Sequence, residues 1–259
     1  NKHSLSILTA DDSIHAIAWE RTIELLSKEY DIKSIFIFKS HVNPKWYFRV
    51  FGLKSFILLW IYSIRLFFQR NSWKRIARKY GILIERASDP NDKRIAVLIK
   101  NSKVDILLIS IEQILKGDIL SATRLGIINK HASILPSSRG VFPYLWSRIS
   151  NEPVGVSIHK VTREIDEGEI LFQAFYNDDN ASMVKFYADI FHVFPYLIQI
   201  GLKNLIYKNS FASEALDSYN SFPKRNDVRE FEKTHRVIRL SDIIYTSTAV
   251  LRENEIRLY

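Results

Sequence analysis

Asn129 and His131 stand two positions apart in GIINKHAS, a stretch that reads as a β-strand, so the period of two puts both side chains on one face. They can address a single atom together. A polar Asn-x-His pair at the end of an otherwise apolar strand is costly to bury unless satisfied, which marks it as a candidate site. Asp166, 35 residues beyond His131, lies in Asp-Glu-Gly, a loop with the glycine a tight turn favours. His131, His159 and Asp166 can also be read as ligands for zinc or iron, since imidazole and carboxylate suit those metals, but no His-x-x-x-His spacing supports it. Nucleophilic chemistry has little to work with: Ser137 and Ser138 lack a Gly-x-Ser-x-Gly elbow, and the chain contains no cysteine.

The elements that must position these groups alternate along the chain. LSILT reads as a short buried strand, and DSIHAIAWERTIELLSKE behind it as a helix with an Asp or Ser N-cap. SIFIF is a second strand, GILIE a third, DKRIAVLIKNS a helix, and VDILLIS a fourth strand so apolar that both of its faces should be covered. GIINKHAS is the fifth. This alternation implies an α/β class with right-handed crossovers, a mostly parallel sheet, and ligands beyond the carboxyl ends of the strands, near Ser110 and Asn129. A Pro/Ser/Arg/Gly loop follows, then a short helix from Tyr144 to Ile149, strands near Val154 to Lys160 and Glu169 to Phe175, and a long helix from Ser182 to Tyr207. The expected organisation is one domain over 1–208 and a short C-terminal appendage over 209–259, in which only a Tyr-Asn-Ser-Phe-Pro turn is legible.

Of the 259 residues 47% are apolar and only eight are glycine, which fits a globular core and excludes disorder or a fibrous repeat. The absence of cysteine removes disulfides and thiolate metal sites and suits a reducing, cytoplasmic compartment. The opening NKHSLSILTADD shows no basic run followed by a long apolar one, so no secretory leader is expected there. The net charge of +9 is concentrated: Lys45, Arg49, Lys54, Arg65, Arg70, Lys74, Arg75, Arg78 and Lys79 fall between Lys45 and Tyr80, with no Asp or Glu among them. The remainder is balanced, unlike a surface built to grip nucleic acid. Within the basic segment, GLKSFILLWIYSIRLFF is apolar almost all the way round a helix, yet its charge-free core, Ser55 to Ile64, is ten residues against the roughly 20 that a bilayer needs. It reads either as a buried or homodimer-packing helix, or as a peripheral anchor whose basic neighbours meet anionic lipid at the inner membrane face.

The run Asn129-Lys-His131-Ala-Ser133-Ile-Leu-Pro136-Ser-Ser-Arg139-Gly140, with Pro143, Gly155 and Asp166-Glu-Gly168 behind it, resembles the formyltransferases that use 10-formyltetrahydrofolate. A weaker likeness runs back through Ile114 and Leu115 to the first strand, about 175 residues in all, and implies a Rossmann-like formyltransferase fold. The resemblance implies that an acceptor amine attacks the formyl carbon through a tetrahedral oxyanion. Asn129 and His131 would donate hydrogen bonds to that oxygen, contacts worth roughly 3–4 kcal/mol each in other enzymes. Asp166 would orient His131, favour its charged form and pass the amine proton through a water, with neither a covalent intermediate nor a metal. By the same resemblance the pterin lies in a slot formed by the backbone of Gln113, Ile114 and Leu115 and by the loop from Thr162 to Asp166, including Ile165. A cis Leu135-Pro136 bond is implied as well. Arg139 is open to two readings, a clamp on its own loop or a contact to a substrate anion.

Relatives acting on glycinamide ribonucleotide carry a glycine-rich, phosphate-binding loop after the first strand. Here the loop is Thr9-Ala-Asp11-Asp12-Ser13, with two carboxylates and no glycine. Relatives that formylate methionyl-tRNA add a larger β-rich C-terminal domain than the last fifty or so residues could make. The expected acceptor is therefore a nucleotide-linked or lipid-linked amino sugar destined for a surface glycan, with Tyr219 and Phe222 as candidates to stack a base. Three rivals stay open: a methionyl-tRNA enzyme, a hydrolase of 10-formyltetrahydrofolate that releases formate without an acceptor, and a non-catalytic folate-binding module.

Overall fold

The structure is a computed structural model and describes residues 2–40, 43–252 and 255–258. The first half alternates as expected: β1 (Ser4–Ala10), α1 (Ser13–Leu26), β2 (Asp31–Phe38), α2 (Pro44–Gln69), α3 (Trp73–Tyr80), β3 (Leu83–Ala87), α4 (Lys93–Asn101), β4 (Ile106–Ser110) and β5 (Gly126–His131). The second half comprises β6 (Arg139–Gly140), α5 (Pro143–Ile149), β7 (Gly155–Lys160), β8 (Ile170–Tyr176), α6 (Met183–Tyr207), β9 (Tyr219–Asn220), α7 (Arg225–Phe231), β10 (Leu251–Arg252) and β11 (Glu255–Leu258). The main sheet runs β10-β11-β8-β7-β5-β4-β1-β2-β3. Strands β3, β2, β1, β4 and β5 are mutually parallel, and β7 turns antiparallel against β5. The order reverses between β1 and β4, the place where open α/β sheets leave a crevice for ligands.

Alternation along the strands divides the core into two layers. Ile7, Ile106, Leu108 and Ile128 face one layer, with α1 and α6. Leu8, Leu107, Ile109 and Ile127 face the other, with α4 and Leu115. All five residues of β4 are buried, which is why its sequence shows no polar alternation. Asp12 is the N-cap of α1, accepting from the His15 N–H at 2.9 Å. Trp19 of α1 meets Phe194 of α6 edge to face at 4.8 Å between ring centres.

The basic segment folds as two helices. Helix α2 breaks its regular geometry at Gly52 (φ 79°), where the Arg225 guanidinium donates to the Val50 carbonyl at 3.0 Å. The residues after 208 are drawn in against the rest of the molecule. Strand β9 pairs with β6 and β11 with β8, the Arg236 and Val237 carbonyls accept from the N–H groups of Met183 and Val184, and Asp189, almost fully buried, accepts from the Tyr176 and Tyr245 hydroxyls at 2.6 and 2.7 Å.

Candidate active site

Asn129 and His131 leave the end of β5 on the same face as Ile127, toward the α4 layer, as the period of two requires. Strand β7 runs antiparallel beside them and sets His159 opposite Asn129 in register. The loop after β7 returns Asp166 into the same space. Its Oδ2 lies 3.4 Å from His131 Nδ1 and its Oδ1 3.6 Å from His159 Nε2, with the three side chains between 2% and 11% exposed. Four polar groups from two adjacent strands and one loop therefore share one small volume. His159, weighed from sequence only as a metal ligand, belongs to this cluster; its pairing across the β5–β7 register is a tertiary fact that spacing along the chain does not carry. Among the described residues no set of three metal-ligating side chains is arranged to hold an ion.

The hydrogen bonds assign roles to the rings. His159 Nδ1 faces the Lys160 carbonyl at 2.8 Å, and a carbonyl only accepts, so this nitrogen carries the proton. Its Nε2 is then the lone-pair side and accepts from Asn129 Nδ2 at 3.3 Å. Burial, against the opposing pull of Asp166, pushes the His159 imidazolium down to about 4, so the ring is neutral near pH 7. One Asn129 N–H is thereby committed and the other is left for a ligand. His131 Nε2 donates to the Ser138 carbonyl at 2.9 Å, leaving Nδ1 toward Asp166. The family reading had this imidazole donating to a substrate oxygen; here the Ser138 carbonyl holds the donor, and a substrate oxygen must compete for it.

The loop between β5 and α5 is held in detail. The Leu135-Pro136 bond is cis, and Ser138, Phe142 and Asp166 adopt left-handed backbone conformations around the site. Gly140 has φ 95° and donates its N–H to Asp166 Oδ2 at 2.9 Å, while a Cβ there would sit 2.1 Å from the Asn220 carbonyl oxygen of β9. Only glycine fits. At Gly168 the requirement is different from the turn expected: a Cβ would come within 1.8 Å of the Lys160 carbonyl oxygen, and the left-handed residue is Asp166 itself. Glu152, silent in the sequence, accepts from the Ser137, Ser138 and Ser218 hydroxyls and fastens this loop to the chain after 208. Arg139 pairs with Glu167 and Asp217 and donates to the Ile165 carbonyl at 3.3 Å, which makes it a clamp on its loop.

The two stretches expected to border the pterin follow β4 and β7, the strands on either side of β5. Leu115 and Val161, near those stretches, pack into the α4-side core. Among the described residues the backbone N–H groups of Gln113, Ile114 and Leu115 donate to nothing within the chain, so this stretch offers open main-chain groups to a planar heterocycle. The Ile114 carbonyl is taken by the Asn91 side chain at 3.0 Å and the Ile165 carbonyl by Arg139. Gln113 and Ile165 are half-buried and Ile114 is exposed. Leu115 is left, among the described residues, with both main-chain groups free.

At the β1–β4 crevice stands a second polar group. Ser110 Oγ lies 2.9 Å from His15 Nε2, and His15 Nδ1 lies 2.7 Å from Asp12 Oδ2. Burial opposes ionisation of Asp12, but His15 and the N–H groups of Ile14 and His15 outweigh it and hold the carboxyl below its ordinary value. Asp11 is paired with Arg86 and accepts from Trp73 Nε1 at 3.1 Å. Both carboxylates of this loop are thus engaged by the chain itself. Lys130 points to this layer, opposite to Asn129 and His131. Its Nζ lies 4.2 Å from the Phe191 ring centre, and burial pushes the ammonium down to about 8 against the pull of Asp12.

Residues 69–183 match the family described as Formyl transferase. The matched stretch holds all four clustered residues. A methionyl-tRNA formyltransferase from Chlorobium limicola is 31% identical over 113 residues, covering 42% of this chain and 36% of that protein. The chain therefore matches only about a third of such relatives. The fold is that of the formyltransferases: a sugar N-formyltransferase structure from Shewanella superposes with a TM-score of 0.55 at 16% identity, over 97% of this chain and 94% of that one. A phosphoribosylglycinamide formyltransferase from Anaplasma phagocytophilum gives 0.58 at 17% identity, over 86% and 100%.

Proposed function

We propose that the chain is an N-formyltransferase that moves the formyl group of 10-formyltetrahydrofolate onto a primary amine of a nucleotide-linked or lipid-linked amino sugar. The observation that carries this reading is the convergence of Asn129, His131, His159 and Asp166 on one volume beside a stretch of open backbone from Gln113 to Leu115. The folate supplies the activated formyl carbon. The free N–H of Asn129 stabilises the oxyanion as the amine adds, joined by the His131 Nε2–H where the oxyanion displaces the Ser138 carbonyl from it, and Asp166 holds His131 and takes up the amine proton through a water. Neutral His159 orients Asn129 through its lone pair. When the carbon–nitrogen bond to the folate breaks, the folate nitrogen regains a proton and tetrahydrofolate leaves.

The choice of an amino sugar rests on the β1–α1 loop. Without glycine, and with Asp11 and Asp12 bonded to the chain, it presents no backbone cradle for the phosphate of glycinamide ribonucleotide. Likeness to the Shewanella enzyme over almost the whole chain, including the part after 208, is consistent with that choice. A methionyl-tRNA acceptor is the second reading, favoured by the sequence relative and by the nine cations between Lys45 and Tyr80.

The test is to mix the chain with 10-formyltetrahydrofolate and, separately, a panel of nucleotide amino sugars, charged initiator tRNA, and buffer. Tetrahydrofolate is followed by absorbance and the formylated product by mass spectrometry. Formamido sugar is expected. Formyl-methionyl-tRNA alone would move the assignment to the second reading, formate in buffer alone would make the chain a hydrolase, and no turnover with any acceptor would remove the catalytic reading.

A further inference from the structure

Helix α2 has two apolar faces, and the protein covers one of them. Toward the domain it turns Ser55, which donates to Glu232 Oε1 at 3.4 Å, then Leu58, Leu59 and Tyr62 against the core. Arg65 follows, donating to the Ile243 and Tyr245 carbonyls at 2.7 and 2.9 Å. Those positions recur at helical spacing, so the helix is fastened sideways along its length. The other face carries Leu53, Ile57, Trp60, Ile61, Ile64 and Phe68, also at helical spacing, and these are between 38% and 81% exposed. Scattered apolar side chains on a surface need no explanation, but a continuous stripe of this length does.

Cations frame the stripe. Lys45 and Arg49 are exposed at one end, beside Phe48 and Phe56 around a cavity of about 510 Å³. Past the other end, α3 buries Trp73 and Ile76 and turns Lys74, Arg75, Arg78 and Lys79 outward around a cavity of about 430 Å³. Neither cavity touches the catalytic cluster. Among the described residues Lys45, Arg49, Lys74 and Arg78 form no ion pair, and no carboxylate occurs between Lys45 and Tyr80.

By length and composition alone, Pro44–Tyr80 could cross a membrane. The structure gives it another geometry. The segment after the Gly52 kink, Leu53 to Gln69, is about 25 Å long, is bonded to the domain by Ser55 and Arg65, and ends where Arg70 and Ser72 redirect the chain into α3. We propose that α2 and α3 together form a peripheral docking surface for a membrane containing anionic phospholipid, with the stripe lying in the interfacial plane and the lysines and arginines meeting headgroup phosphates. A second copy of the chain fits less well. A two-fold contact across this face would set two carboxylate-free cationic segments against each other. A lipid surface supplies both the apolar layer and the counter-charge. The inference is independent of which amine is formylated.

The test is flotation of the whole chain with vesicles of phosphatidylcholine, and of phosphatidylcholine mixed with phosphatidylglycerol, at low and high salt. Partition into the mixed vesicles is expected, weakening with salt. It should fall by about tenfold or more in a Lys74→Gln/Arg78→Gln variant, on the usual contribution per basic residue near such a surface. A comparable loss is expected for Trp60→Ser/Phe68→Ser, with circular dichroism and formyl-transfer activity unchanged. Absence of partition at low salt would overturn the proposal, as would equal binding to pure phosphatidylcholine. So would a soluble dimer that the Trp60→Ser/Phe68→Ser variant dissociates.

Discussion

At the carboxyl end of the sheet, Asn129, His131, His159 and Asp166 each have a partner from another element, and the loops bearing them are fastened by Gly140, Arg139 and Glu152. Along the outer face of α2, Trp60, Ile61 and Phe68 stand exposed, and Lys74 and Arg78 beside them carry charge with no carboxylate near in the chain. The first region satisfies its polar groups internally, which fixes their geometry at the cost of left-handed backbone at Ser138, Phe142 and Asp166. The second leaves both its apolar area and its charge unsatisfied within the fold. A substitution should therefore act on geometry and chemistry in the first region, and on an encounter with something else in the second.

The largest effect is expected at the cluster proposed to meet the reacting atoms. Asn129→Ala removes one donor to the oxyanion and should lower kcat by about 10²–10³-fold, while Asp166→Ala should cost at least as much, because His131 also loses its orienting partner. Thermal unfolding should stay cooperative in both. Near-normal turnover in either variant would separate this cluster from the chemistry and dissolve the contrast with α2.

Gly140→Ala sharpens the comparison from the side of the backbone. Its Cβ has no space against the Asn220 carbonyl, and φ 95° is strained for any side chain. Either β9 moves or the Gly140 N–H leaves Asp166. A destabilisation of about 1–3 kcal/mol is expected, with kcat falling more than KM rises, measured by denaturant unfolding and steady-state kinetics. An equivalent Ala at Gly81, where a Cβ meets nothing within 4 Å, also sits at positive φ but should leave kcat untouched.

The buried imidazole adds a pH signature. His159 holds its proton less tightly folded, at about 4, than unfolded, at about 6.5. Between those values the unfolded chain binds more protons, so stability is full above pH 6.5 and is lost as pH falls toward 4. The loss attributable to this group is on the order of 3 kcal/mol. His159→Gln should flatten the acid limb of a stability profile followed by urea unfolding, and an unchanged profile would show that the ring charges freely in place.

Much of the sheet was legible because β4 and β5 are apolar runs and α1 carries its cap and its period in plain view. The Asn-x-His pair was legible because one strand supplies both residues. Asp166 required the family likeness, since nothing in the 34 intervening residues fixes where the loop returns. His159 and Glu152 were not legible as partners at all: one acts through the antiparallel register of β5 and β7, the other through serines on both sides of it in sequence, and neither relation leaves a period. The chain after 208 hid its role for the same reason, because Asp189 collects Tyr245 and Ser247 from nearly sixty positions away.

The smallest effect is expected from Trp60→Ser and Phe68→Ser on folding. Both side chains are more than half exposed, at 61% and 81%, so little buried area is lost. Stability should stay within about ±0.5 kcal/mol of the parent, and kcat should not move. Arg65→Ala, on the covered face of the same helix, leaves the Ile243 and Tyr245 carbonyls without their donor and should cost about 1–3 kcal/mol. Denaturant titration of the three variants side by side measures how far the two faces of α2 differ. If the exposed tryptophan matters to folding as much as the buried arginine contact, the outer stripe is part of the domain's own core packing and is not free to meet a surface.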